Sequence, residues 1–157
     1  MIQTLLTKDT PWTQAEIYAC IKAMGPLASL TACVVGEAAQ QPLEGKQAVA
    51  CVVRNRVNDP RRWPNTYEGV LCKRAHFSCF NQALFRHEIF FTRRHHLYWR
   101  ECYYAAWGVL DNYIGDITGG ATHYWNPDIA TPKWAPKLTW LKKVGDHQFA
   151  KEGEYHE

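Results

Sequence analysis

Apolar residues recur at helical spacing from position 17 onward. Ile17, Cys20, Ile21 and Met24 share one face, Thr10 stands where a cap belongs and Pro11 suits a first turn, so "TPWTQAEIYACIKAM" is expected to be a helix. Gly25 and Pro26 end it. Leu27, Leu30, Val34 and Ala38 form the stripe of a second helix ending near "AAQQP". A third begins at Pro42 and keeps Ala48, Val49, Val52, Val53 and Val57 on one side, with Gly45 weakening its first turn by about 1 kcal/mol relative to alanine. "NDPRRWPNT" is a loop, because prolines and asparagines crowd it. "TYEGVLCK" suits a short helix, while "AHFSCFN" is open between a strand and an irregular turn. Trp99, Cys102, Tyr103, Ala106, Trp107 and Leu110 mark a long aromatic helix from His95 to Asp111.

After Gly119 and Gly120 the period changes. "ATHYWNP" alternates as a strand does, "DIATPKWAPK" is a proline-broken loop, and "LTWLKKVGDHQFA" reads as strand, turn and closing strand. Helices first and a small antiparallel β-sheet toward the C-terminus predict an α+β, mainly helical fold. No internal repeat, low-complexity tract or linker divides residues 1–157, so a single domain is expected.

Composition narrows the partners. With 157 residues and 46% apolar content the chain can bury one core without staples. Seven Trp, eight Tyr and six Phe exceed what that core needs and leave rings to line a groove, where flat faces stack on flat ligands such as sugars. A net charge of +3 does not call for nucleic acid, and none is expected as a partner. The one dense basic run, Arg86 to Arg100, interleaves positive and aromatic residues and suits a solvated face or an acidic polymer. The first residues lack a basic head and a long apolar stretch, and no apolar run approaches the roughly 20 residues of a membrane span, which predicts a soluble cytoplasmic product. Six cysteines without a CxxC pair are expected to be free and buried.

One polar residue breaks the pattern. Glu37 lies three residues past Val34 and seven past Leu30, on the apolar stripe of the second helix. It either pairs with an arginine such as Arg54 or Arg56, or serves as a general acid, since apolar surroundings disfavour the charged form of a carboxyl. Asn55 sits on the packed side of the third helix and needs a partner, which Glu37, a substrate or a backbone carbonyl could supply. Cys51 or Cys79 with His123 or His147 could form a thiol nucleophile and base, but Cys51 lies among valines and nothing local activates a thiolate. His76, His95, His96, His123 and His147 form no HExxH or other tight ligand pair, so neither a metal nor another cofactor is expected.

The stretch "VVGEAAQQPLEGKQAVACVVRNRV" resembles the signature of the SleB-like cell wall hydrolases, found in spore cortex-lytic enzymes and in bacterial and phage relatives. Glu37, Ala38, Pro42, Gly45, Ala48, Val49, Val52, Asn55 and Arg56 fit it. "WPNTYEGVLCKRAHFSCFN", "GATHYWNPDIATPKWA" and "VGDHQFA" are similar to the later blocks, so the resemblance runs from Leu27 to Phe149. It departs at Ala39 and Gln41, where many relatives carry an Arg and a second Glu.

The resemblance implies a lysozyme-like fold acting on peptidoglycan glycan strands, with Glu37 as the catalytic acid. It further implies a lytic transglycosylase, in which the 6-hydroxyl of N-acetylmuramic acid attacks intramolecularly and leaves a 1,6-anhydro end. One residue can then act as acid and base, and the motif holds no second carboxylate near Glu37. Asn55, Ser78, His123 and Tyr124 are expected to orient sugar or acid, and Phe77, Trp125 and Trp134 to supply stacking faces. The expected role is a phage or prophage endolysin, a monomer held in the cytoplasm until a holin or similar membrane-permeabilising partner admits it to the wall in the periplasm. The rivals are a hydrolytic N-acetylmuramidase and, from another class, a non-catalytic wall-binding module.

Overall fold

A computed structural model describes residues 7–74, 76–86 and 96–153. Helix α1 spans Gln14–Ala38 and starts after Thr13 rather than Thr10. The reason is local: Glu16 stands three residues beyond Thr13, so the Glu16 N–H donates to Thr13 Oγ1 (3.2 Å) while the Thr13 N–H donates to Glu16 Oε2 (2.8 Å). Lys8 braces the same carboxylate at 2.7 Å. Gly25 leaves the helical path with φ 78°, which glycine accepts without a Cβ clash, and Pro26 opens the next turn, where a missing N–H costs nothing. The two predicted helices therefore run on as one bent element. Joined in this way they are long and apolar enough to cross a membrane by length and composition, which corrects the expectation that no such stretch exists. In the fold, its Ile17, Cys20, Ile21, Leu30, Cys33, Val34 and Val35 are instead core residues.

Helix α2, Leu43–Val57, begins after Pro42 and is buried almost around its circumference from Ala48 to Arg54. Helix α3 is the short Tyr67–Leu71, capped by Thr66 Oγ1, which accepts from the Gly69 N–H at 3.0 Å. From His76 onward, "AHFSCFN" is an irregular turn with a 3-10 segment at Ser78–Phe80; Ala75 lies outside the described residues. Helix α4 spans His96–Leu110 and packs on both α1 and α2. Residues 87–95 of the basic run, and the expected start of this helix at His95, lie outside the described residues.

Three strands close the fold: β1 His123–Trp125, β2 Thr139–Val144 and β3 His147–Lys151, in the order β1-β3-β2 and antiparallel throughout. His123 pairs with Ala150 and Trp125 with Gln148, and a bulge falls between Trp140 and Lys142. Phe149, buried at the centre of β3, joins the helical core. A second tie comes from Gln41, just past α1, which donates to Asp146 Oδ2 (3.0 Å) and accepts from the Asp146 N–H (2.9 Å) in the β2–β3 turn. The sheet is thereby fixed against the C-terminal end of α1, where Glu37 lies.

Candidate functional site

Glu37 is in the last turn of α1 and partly buried. Its carboxyl takes three hydrogen bonds from two distant segments. Oε1 accepts from the Cys79 N–H at 3.0 Å and from Ser78 Oγ at 3.2 Å, and Oε2 accepts from Tyr124 Oη at 2.9 Å. The Cys79 N–H is available because the first amides of a helical turn have no partner within it. It is a fixed donor, whereas the two hydroxyls can turn to donate or accept, so the cluster can serve a carboxylate or a carboxylic acid. Arg54 and Arg56 make no ion pair with Glu37. Arg54 donates instead to the carbonyls of Val109 (2.9 Å) and Ile114 (2.8 Å), and Arg56 to that of Thr122 (2.7 Å).

Tyr124, at the centre of β1, lies against His147 (ring centroids 5.1 Å) and Phe149 (5.7 Å). Burial, then the neighbouring Glu37 charge, pushes its phenol well above the ordinary range. His147 has its own Nδ1 buried with no hydrogen-bond partner among the described residues, and burial lowers its pKa.

Arg56 is the second centre of the site. Its guanidinium stacks over Trp63 at 4.4 Å and Phe77 at 5.0 Å. It is 5% exposed, and that burial draws its pKa down from the usual arginine value. Its NH1 lies 3.5 Å from His76 Nδ1. Burial first and the Arg56 charge second hold both His76 and His123 at about 4, so these rings are neutral at pH 7. Alternation along β1 sends Tyr124 and His123 to opposite faces. The His123 face borders a cavity of about 720 Å³ lined by Arg56, Arg62, Trp63, Lys73, Arg74, His76, His123, Trp134 and Glu152. Glu37 is not in its wall; Arg56 and β1 lie between the two.

The remaining expected site residues divide. Ser78 and Tyr124 meet at Glu37, while His123 and Trp134, with centroids 5.2 Å apart, meet in the cavity. Trp134 keeps 40% of its surface exposed and presents an open ring. Phe77 is buried beneath Arg56 and offers no free face. Trp125 meets Trp134 edge-on at 5.7 Å. Asn55 does not reach Glu37: its amide donates to Ala121 O (2.9 Å), Asp116 Oδ2 (3.2 Å) and Thr118 Oγ1 (3.3 Å), tying down the loop before β1. The Cys79 amide has no signal in the sequence, since no side chain advertises it, and Arg56 has a role beyond the expected pairing with Glu37, signalled by its place beside Asn55 in the motif. All six cysteines are free, and burial raises the thiol pKa of each, to about 11 at Cys72 and about 12 at Cys102. No activated thiolate exists among them.

A helical core closed by a three-stranded sheet, with the Glu37 carboxyl at the junction, is a lysozyme-like architecture. A profile described as Cell Wall Hydrolase matches residues 40–150, and the chain belongs to that family, in its SleB-like branch. The matched stretch begins three residues after Glu37. The spore cortex-lytic enzyme of Bacillus cereus is 37% identical over 119 residues, 75% of this chain and 41% of that protein. The spore cortex-lytic enzyme of Bacillus subtilis is 32% identical over 121 residues, 76% of this chain and 35% of its own. The chain thus spans well under half the length of these relatives. Among solved structures, the catalytic domain of the germination-specific lytic transglycosylase SleB from Bacillus anthracis superposes with a TM-score of 0.66 at 31% identity, over 80% of this chain and 93% of that one. The catalytic domain of Bacillus cereus SleB gives 0.65 at 31% identity, over 80% and 89%.

Proposed function

We propose that this chain cleaves the glycan strands of peptidoglycan as a lytic transglycosylase, with Glu37 as its acid and base. The observation that carries the reading is the setting of the Glu37 carboxyl: a fixed amide on one oxygen and reversible hydroxyls on both. Protonated Glu37 gives its proton to the glycosidic oxygen on C1 of N-acetylmuramic acid, and that C–O bond breaks. The 6-hydroxyl of the same sugar then closes on C1, and its proton passes to the Glu37 carboxylate. The product is a 1,6-anhydro end and the acid is regenerated. A water-using glycosidase of the usual kind needs a second carboxylate about 5–9 Å from the first. An intramolecular attack needs only one group that changes roles.

Incubation with purified sacculi tests this. The wild-type protein should release fragments one water lighter than the hydrolytic products, read by mass spectrometry. Glu37→Gln keeps the shape of the side chain but has no proton of the right acidity, so it should retain the fold and release nothing. Full activity in that variant would overturn the assignment, and pelleting with sacculi without release would identify a wall-binding module instead.

A further inference from the structure

We propose that the cavity on the His123 face of β1 is an anion subsite that takes the free carboxylates of the peptide stem carried by muramic acid. This rests on the reading of the chain as an enzyme of glycan strands. Four cations line the cavity, Arg56, Arg62, Lys73 and Arg74, against the single carboxylate of Glu152. That carboxylate is committed to Arg62 Nε at 2.6 Å, and Asp59 also holds Arg62 at 3.1 Å. Arg56, Lys73 and Arg74 have no carboxylate within ion-pair distance among the described residues. For Arg56 this is the more telling, because a buried guanidinium without an acid carries a desolvation cost that stacking and one carbonyl only partly offset.

Its neighbours are arranged to leave that charge uncancelled. His76 and His123 are neutral at pH 7, with Nδ1 of His76 3.5 Å from the Arg56 guanidinium and Nδ1 of His123 3.0 Å from Thr122 Oγ1. Lys73 Nζ lies over the Trp63 ring at 5.1 Å, and Trp134 lines the same space. The cavity therefore pairs a donor-rich, positive floor with an exposed indole, a combination that suits a sugar bearing an anion. The backbone of an unmodified glycan strand is neutral. Its charges belong to the peptide attached through the lactyl group of muramic acid, so the stem is the part of the polymer this cavity fits. A volume of about 720 Å³ accommodates a sugar ring with the first residues of a stem. Because Glu37 is not in its wall, the stem held there belongs to a muramic residue of the strand other than the one being cleaved.

Calorimetric titration of the whole chain with a disaccharide carrying its peptide stem tests this, beside the same compound with its carboxylates amidated and beside inorganic phosphate. Lys73 and Arg74 are exposed, so a Lys73→Glu, Arg74→Glu double variant should fold normally. The stem-bearing disaccharide should bind, the amidated one should bind roughly tenfold more weakly or not at all, and the double variant should show a loss of similar size. Equal binding of the free and amidated compounds, an unchanged affinity in the variant, or tighter binding of phosphate than of the stem would each overturn the proposal. The titration reads binding and not bond cleavage. Sacculi digested without stem recognition would sink the subsite alone, and stem recognition without digestion would sink the transglycosylase reading alone.

Discussion

Three contacts define what the Glu37 carboxyl can do, and one can be removed without altering shape. Tyr124→Phe deletes the hydrogen bond to Oε2 and leaves the ring against His147 and Phe149. Hydrogen bonds to charged groups contribute about 1.5–3 kcal/mol, so kcat for release of anhydro fragments should fall roughly 10- to 100-fold with near-UV circular dichroism unchanged. The histidines around Arg56 make a separate prediction about acid stability. His76 and His123 titrate near 4 in the fold against an ordinary 6.5. The unfolded chain therefore takes up these protons first as pH falls, so their contribution to stability is complete above about 6.5 and is lost progressively toward about 4. Urea midpoints measured across that range should decline, and His76→Gln should flatten the decline. Glu37 itself could be picked out of the chain because a carboxyl on an apolar stripe violates the pattern. Of its partners, Ser78 and Tyr124 come only from the family resemblance, and the Cys79 amide has no signal in the sequence, because a backbone donor meets the carboxyl only through the tertiary fold.

The elements were legible wherever periodicity and breakers agreed. Helix α2, the aromatic α4 and all three strands follow from spacing, and Gly25 with Pro26 marks the bend in α1. What failed was the competition between caps: Thr10 and Thr13 look alike in isolation, and only the Glu16 side chain decides between them. "AHFSCFN" resisted assignment for another reason. A three-residue 3-10 turn has no period to read, and Ser78–Phe80 is held by its packing on α1. The β2–β3 turn makes the testable case at this scale. Gly145 has φ 57°, and a Cβ there would collide with the Gln41 side-chain oxygen that ties the turn to the end of α1. Gly145→Ala should lower stability by about 1–2 kcal/mol in urea unfolding and lower kcat as well, because the same tie sets the sheet against the Glu37 turn.

Across the whole molecule, the sequence order of the site is inverted relative to its construction. Glu37 comes first along the chain, while Ser78 and Cys79 follow 41 and 42 residues later and Tyr124 follows 87 later. The strand that carries Tyr124 is held in turn by β3, which ends at Lys151. Contacts of such long range close after local ones, since each requires a large loop to be ordered first. A chain that stops short of β3 therefore carries Glu37 without the strand that holds Tyr124, and the cluster around its carboxyl is complete only once residues up to Lys151 have been made.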